Sequence, residues 1–241
     1  MFRHTGRKRT NSQDISLASL LCLTAGLVNV AGFSAFAVLT TNVTGHVAVF
    51  AQKLAMGDFA TARVVSLWMF SFLVGAFVSS FIINHVTRIR FAYVIPILTE
   101  IIILNVIAVY GNKFNNSQGE TEFFAGSLLF VMGMQNALVS MISGSVVRTT
   151  HLTGMFTDLG IELAALFKKE KEEYKFLKER ILLRLTIIFF FFLGGIIGGY
   201  LFQMLHYYTF FIPSVILSIA LIYDVSQVRI VRFIRKFTRN Q

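Results

Sequence analysis

Long apolar stretches, separated by short polar ones, make up most of this chain. Six of them approach or exceed the length of about 20 residues that a helix needs to cross a hydrocarbon core of about 30 Å. They lie at about residues 16–39, 62–83, 91–110, 123–143, 185–205 and 210–225. This pattern predicts an all-α, polytopic helical membrane protein.

Two further stretches, at about residues 40–56 and 149–167, are shorter and mix polar side chains with apolar ones. The first directly follows the apolar stretch at 16–39, and the second follows the stretch at 123–143 after a few residues. At this length each would barely cross the hydrocarbon core. We interpret them as two short re-entrant or broken helices beside six full spans. The alternative is that both cross and the protein has eight spans.

The sequence around the two short stretches occurs twice. Thr40–Gly45 reads TTNVTG and Thr149–Gly154 reads TTHLTG. Upstream of each lies a Gly-x-x-Asn motif, which ends at Asn29 in the first copy and at Asn136 in the second. A repeated Thr/Gly interruption within an apolar chain is the feature that most needs a functional explanation.

Two later landmarks recur in the same order. Phe72–Gly75 matches Phe192–Gly195, and Tyr93–Pro96 matches Phe210–Pro213, which holds the second of the chain's two prolines. Internal repeats of this kind are common in transporter folds. The matches predict two membrane repeats, at residues 16–110 and 123–228, joined by a connecting loop at 111–122. Basic tails precede and follow them, at residues 1–15 and 229–241.

Composition agrees with a membrane protein. The chain has 241 residues, of which 55% are hydrophobic and 14% charged, and its mean hydropathy is +0.69. Soluble domains carry about 25% charged residues. The single cysteine, Cys22, excludes a disulfide framework within the chain and a Cys-rich metal site. No cofactor is expected, and His46 and His151 have no third or fourth ligand at a spacing suited to a metal.

The net charge of +10 is concentrated beside the apolar stretches, in Arg3–Arg9, Lys168–Arg184 and Arg229–Arg239. This is the pattern of cytoplasmic membrane flanks, and it favours anionic lipid headgroups over nucleic acid. We therefore expect the lipid bilayer as a partner, no nucleic acid, and both termini in the cytoplasm.

The charge count also bears on topology. If the two short stretches do not cross, Arg88, Arg90 and Arg148 fall on the cytoplasmic side, each half has three crossings and the halves are inverted. If both cross, these arginines fall outside and the halves are parallel. The first arrangement satisfies the positive-inside rule better, and we favour inverted halves.

The two interruptions are also the best candidates for a binding site. Backbone polar groups at membrane depth must be paired, buried in protein or exposed to a wet cavity. Threonine hydroxyls can cap a helix N-terminus, and free N–H groups there favour an anion or a polar solute. The candidate substrate-binding residues are Asn29, Thr40, Thr41, Asn42, Thr44, Gly45, His46, Asn136, Arg148, Thr149, Thr150, His151, Thr153 and Gly154. Alternatively, these residues only cap helices and let them pack.

Acidic residues within the apolar regions form a second candidate set, because charges at membrane depth are costly and often functional. Asp158 and Glu162 are four residues apart, so one helix face would hold both carboxylates. With Glu100 they form a candidate proton or cation relay. Structural pairing with a basic residue such as Lys53 is the alternative.

At these same motifs the chain resembles the YoaK family of bacterial inner-membrane proteins, a domain of unknown function. The resemblance covers about residues 16–228 and is most specific at Ala25–Phe33, Thr44-Gly45 and Val147–Gly160. The family pattern has Asp at the position of Asn29 and Asn at the position of His46. In this chain Asn29 therefore stands in place of an acid that could couple protons. The resemblance implies a multi-pass protein of the bacterial cytoplasmic membrane and names no activity.

Three functions compete at this point. The duplicated interruption favours a small-solute transporter or permease, with a small polar or anionic solute as partner. The alternative is a non-transporting membrane assembly or lipid-associated protein that uses the basic faces. An intramembrane enzyme is not expected, because the chain has no Gly-rich phosphate loop, HExxH motif or GxSxG elbow.

Overall fold

The computed structural model describes residues 10–85, 92–113, 117–167 and 174–238. Arg88 and Arg90, the basic residues before Thr10, and Lys168 to Glu173 therefore lie outside the described residues. Side chains of the basic C-terminal tail from residue 227 onward are also outside them.

The described residues form eight α-helices, α1–α8, joined by turns and two 3₁₀ segments. The α-helices are Asn11–Phe36, Val43–Ala55, Phe59–His85, Val94–Tyr110, Gln118–Ser143, Leu152–Ala165, Tyr174–Leu205 and Phe211–Thr238, and the 3₁₀ segments are Gly111–Lys113 and His206–Phe210. No strand occurs in the described ranges. The all-α prediction is confirmed.

Five stretches of the described chain are long and apolar enough to cross a membrane. The last of them, Tyr174–Asp224, contains α7 and the first half of α8. The helices α2 and α6 have only 13 and 14 residues, which makes each about 20 Å long, well short of a hydrocarbon core of about 30 Å. The two mixed stretches of the sequence are thus short helices.

Glycines let two pairs of helices touch backbone to backbone. A Cβ added to Gly26 on α1 would meet the Phe191 carbonyl on α7, and one added to Gly133 on α5 would meet the Phe72 carbonyl on α3. Only residues without a large side chain permit such close approach between membrane helices. The helix pairs α1–α7 and α3–α5 therefore form the framework of the fold.

The same framework has two further backbone contacts. A Cβ on Gly75 would meet the Phe130 carbonyl, and a Cβ on Gly194 would meet the Leu23 carbonyl. In these contacts Gly194, rather than Gly195, occupies the place that Gly75 has in the first half. The match between residues 72–75 and the later landmark is therefore displaced by one residue.

The helices α1 and α5 run antiparallel to each other. Gln135 Nε2 on α5 donates to the Leu21 carbonyl at 2.8 Å, while nearer the other end of α1 the Phe36 ring stacks on Phe124 with centroids 6.0 Å apart. As residue numbers rise along α1, the contacted residue numbers fall along α5. The core of the protein lies where these two helices cross, with fully buried Leu21, Leu128 and Met132.

The helices α4 and α8 are antiparallel as well. The Tyr93 hydroxyl donates to Asp224 Oδ2 at 2.6 Å near one end. Asn105 Nδ2 donates to Ser214 Oγ at 2.8 Å near the other. These polar pairs fix the register of two otherwise apolar helices, because an unpaired polar group in their contact would be costly.

Candidate functional site

The two short helices begin in the same way, with a polar residue that lies over a glycine three positions later. At α2 the Asn42 side chain accepts a hydrogen bond from the Gly45 N–H at 3.0 Å, and a Cβ on Gly45 would lie only 2.7 Å from Asn42 Nδ2. At α6 the His151 ring lies where a Cβ of Gly154 would be. The paired Gly45 and Gly154 are therefore needed to make room for the residue that begins each helix.

The predicted role of the threonine hydroxyls as helix caps is wrong, because Asn42 and His151 occupy the N-cap positions. Asn42 is an effective cap because its short carboxamide reaches the first-turn amides. The longer His151 ring forms no side-chain cap hydrogen bond. The first-turn N–H groups of α6 thus lack the side-chain cap that α2 has.

Both interruptions line a single cavity of about 590 Å³, which we call the break cavity. The first half contributes Thr41, Asn42 and Thr44, and the second contributes Arg148, Thr150 and Thr153, together with other residues of both halves. Nine of the candidate residues from the sequence line it: Asn29, Thr41, Asn42, Thr44, Asn136, Arg148, Thr150, His151 and Thr153. Gly154 lines the adjoining cavity instead. Apolar walls come from Phe72 and Phe191.

The first interruption is tied back to α1. Asn29 Oδ1 accepts from the Thr41 backbone N–H at 3.1 Å and from Thr40 Oγ1 at 3.5 Å. Asn29 and Thr41 are each only 8% exposed, although both line the break cavity. These bonds satisfy backbone groups that the helix break would otherwise leave unpaired at depth.

The second interruption lacks the corresponding bonds. Asn136 Oδ1 and Thr149 Oγ1 are buried and have no hydrogen-bond partner. They occupy the positions that match Asn29 and Thr40 in the sequence repeat. The two interruptions are therefore similar in sequence and different in structure. Asn29 bonds the first to the middle of α1, whereas Asn136 makes no such bond in the described chain and the second is held only near the end of α5, where Ser143 bonds to Val147.

His46 and the buried threonines have other positions. The His46 ring nitrogen Nε2 lies 2.9 Å from the Leu39 carbonyl, and the ring meets Trp68 edge-on with centroids 6.0 Å apart. Thr40 and Thr149 are fully buried. The structure thus places His46 in a contact between α2, α3 and the preceding loop, where it does not itself line the break cavity but contacts Leu39, which does.

A second cavity of about 650 Å³, which we call the vestibule, adjoins the break cavity. Arg148 and His151 line both. The vestibule continues past Asp14 near the start of α1 and Arg180 near the start of α7. Arg148 and His151 therefore form the wall between the interior of the helix bundle and the end that holds the N-terminus.

The predicted acidic pair on α6 contacts arginines of α7. Arg184 lies 3.0 Å from Asp158 and 2.8 Å from Glu162, and Arg180 lies 2.8 Å from Glu162 Oε1. Although no hydrogen bond is assigned to Glu162 Oε1, its short distance to Arg180 makes it an ion-paired oxygen. Removing an arginine from a buried pair would leave an uncompensated charge, so a structural role suits this pair.

Glu100 lies on a different helix from this cluster. It is 1% exposed on α4, which packs against α5 and α8. One of its oxygens has no hydrogen-bond partner. Within the described chain, no group of three or more His, Cys, Asp or Glu residues is placed to hold a metal ion.

Sequence reasoning missed the partners of these acids and the apolar walls of the cavity. Arg180 and Arg184 belong to a basic stretch that the charge pattern assigns to a membrane flank. Their ion pairs with Glu162 join two helices, so no local sequence motif indicates them. The only sequence signal was the excess of arginine close to the start of an apolar stretch. Phe72 had no signal beyond the repeated landmark at 72–75, and Phe191 had none, because it lies just before the matching landmark at 192–195.

Apolar helices with backbone-contact glycines, together with two short interrupted helices around a polar cavity, define a multi-pass helical membrane protein. The chain belongs to the family described as "Protein of unknown function (DUF1275)", which matches residues 17–223. It is 24% identical over 205 residues to the UPF0700 transmembrane protein YoaK of Bacillus subtilis (strain 168). The aligned region covers 84% of this chain and 90% of the relative. No solved structure matches. The family resemblance found in the sequence is confirmed.

Proposed function

We propose that this protein is a small-solute transporter or permease of the bacterial cytoplasmic membrane, and that the break cavity is its substrate site. The observation that carries the proposal is the single cavity shared by two interrupted helices. Irregular backbone at membrane depth is tolerated where it lines a cavity, and transporters of several folds bind substrate at such interruptions.

The orientation of the helices supports six crossings in two inverted halves. With α2 and α6 turning back on the side they entered, α1 and α5 run in opposite directions, and so do α4 and α8. Their observed contacts are antiparallel. Eight crossings would make both pairs parallel. In the six-crossing arrangement both termini and Arg148 share the cytoplasmic side.

The difference between the two interruptions supports alternating access. The Asn29 bonds hold the first interruption against α1, while Asn136 and Thr149 have no partner and the vestibule adjoins the second interruption. The structure thus resembles a state open toward the N-terminal side. In the opposite state, we propose that Asn136 holds the second interruption and that Asn29 releases the first.

The transport proposal predicts a loss of flux from two small changes. Thr44→Val and Thr153→Val keep the side-chain shape but remove a hydroxyl from each half of the cavity wall. The double variant is expected to lower flux about thirtyfold, because each of the two lost hydrogen bonds to a solute costs about 1 kcal/mol. Flux is measured in proteoliposomes with labelled glycerol, glycine, malonate and inorganic phosphate.

Thr186→Val is the matched control, because the Thr186 hydroxyl only bonds to the Leu182 carbonyl within α7. Its flux should equal that of the unaltered protein. Flux that is the same in the double variant would remove the break cavity from the transport path. If no solute moves faster than in protein-free vesicles, the transport proposal itself fails.

The second candidate, a lipid-associated protein without transport activity, has an observation of its own. An apolar groove of about 890 Å³ lies beside α7, and its lining includes Phe156, Phe189, Gly195, Gly199 and Tyr200. A groove of this composition suits an acyl chain. We rank it second because it does not explain the polar, duplicated interruptions.

A further inference from the structure

We propose that the break cavity selects small anions, with Arg148 as the residue that binds the anionic group and carries it between vestibule and cavity. This inference rests on the proposed transport function and specifies its substrate class. It is drawn from the charge around the cavity, the bare end of α6 and the position of Arg148 between two cavities.

The charge that lines the break cavity is positive. Arg148 lines it, and no Asp or Glu is among its lining residues in the described chain. The remaining polar walls are neutral amides and hydroxyls such as Asn29, Thr41 and Thr44. In a site partly shielded from water, a single unopposed cation strongly favours an anionic ligand over a neutral or cationic one.

The start of α6 adds further positive potential. The first-turn N–H groups of a helix carry partial positive charge and bind anions. Leu152 and Thr153 of this turn line the break cavity, and Gly154 and Met155 line the vestibule. Because His151 forms no side-chain cap, the N–H groups of Leu152 and Thr153 are available to a ligand. The Met155 N–H is bonded to the His151 carbonyl, and at α2 Asn42 already occupies the Gly45 N–H.

Thr41 provides an independent indication of a ligand across the cavity. Its side chain is 8% exposed and lines the cavity, but its hydroxyl makes no hydrogen bond with the described chain; only its backbone N–H is bonded, to Asn29. The polar group of so enclosed a residue normally has a hydrogen-bond partner. An oxygen of a bound anion would accept a hydrogen bond from it.

Arg148 differs from the other arginines of the vestibule. Arg180 and Arg184 are paired with Glu162, and Arg184 also with Asp158. Arg148 is exposed to both cavities and forms no ion pair with the described residues. Its guanidinium group suits a carboxylate or a phosphate, which it binds through two parallel hydrogen bonds.

The same chemistry would accept the phosphate of a lipid headgroup, and the test must separate the two sources. Full-length protein is reconstituted into vesicles of phosphatidylcholine alone and into vesicles that also contain phosphatidylglycerol. Binding and uptake of labelled inorganic phosphate and malonate are compared with those of glycerol and glycine. The variants are Arg148→Gln, Arg148→Lys and, as a surface control, Arg63→Gln, which alters an exposed arginine on α3.

We expect phosphate or malonate to bind and enter vesicles of either composition faster than glycerol and glycine. Arg148→Gln should lower both the binding and the uptake of the anion at least about tenfold, as expected for loss of a charge-assisted hydrogen bond. Arg148→Lys should restore part of them, and Arg63→Gln should change neither.

Two results would overturn the inference while leaving transport intact: uptake of glycerol or glycine that depends on Thr44 and Thr153, and anion uptake that is unchanged in Arg148→Gln. Phosphate binding that disappears only when phosphatidylglycerol is present would assign the site to a lipid headgroup and contradict a free anion. If neither anion binds or enters at all, the inference is wrong.

Discussion

Alanine at Gly26 or Gly133 is expected to prevent stable folding of the protein. In each case the added Cβ would meet a backbone carbonyl of the partner helix, Phe191 or Phe72. A carbonyl within a helix cannot turn aside as a side chain can, so the two helices must separate. We expect a cost of at least about 3 kcal/mol, at the upper end for overpacked sites, measured as a lower midpoint of thermal unfolding and a lower yield of monodisperse protein in detergent.

Gly160→Ala is the matched control, since nothing lies within 4 Å of a Cβ at that position of α6. This variant should be as stable as the unaltered protein or slightly more so, because alanine favours a helix over glycine by up to about 1 kcal/mol. The Gly26 and Gly133 variants should be affected about equally. A tolerated alanine at either position would show that the close helix contacts there are not as the structure has them.

Cysteines placed at Met56 and Val146 are expected to react from opposite sides of the membrane. Met56 ends α2 and is 69% exposed, and Val146 follows α5 and is 50% exposed. If α2 and α6 turn back, Met56 faces the exterior and Val146 the cytoplasm. In a Cys22→Ala background, a membrane-impermeant maleimide added to intact cells should label only the Met56→Cys variant. Met56 is preferred to Gly57, which has a positive φ of 74° that disfavours a side chain.

Permeabilised cells provide the control for this experiment, because both cysteines should then react fully. Eight crossings predict the reverse labelling, with only the Val146→Cys variant reactive in intact cells. With both termini in the cytoplasm, as the flanking positive charge indicates, such a result would exclude two non-crossing helices and with them the inverted halves and the proposed alternating mechanism.

The helices and both interruptions could be predicted from the sequence because apolar length and the Thr/Gly motif are local signals. Helix ends were less predictable where a helix leaves the apolar region. The predicted span at 185–205 is only part of α7, which begins at Tyr174, because charged residues such as Lys175 and Glu179 continue the helix without being apolar.

The contacts of the site were less accessible to sequence reasoning because they join distant parts of the chain. Arg184 is 22 residues from Glu162, and no motif links the two. The repeat predicted equal roles for Asn29 and Asn136, but their hydrogen bonds differ. Which of the two asparagines bonds to its interruption depends on packing between helices, and that information is absent from either copy of the motif.

Cross-linking between the two interruptions tests the central claim most directly. Thr44→Cys and Thr153→Cys are combined in a Cys22→Ala background and treated in membranes with a short reagent that joins two thiols. Peptide mass spectrometry should detect the joined pair, because both positions line one cavity, while a Thr44→Cys and Thr186→Cys pair should remain unjoined. If each cysteine of the first pair reacts alone and the two are never joined, the interrupted helices do not share a cavity.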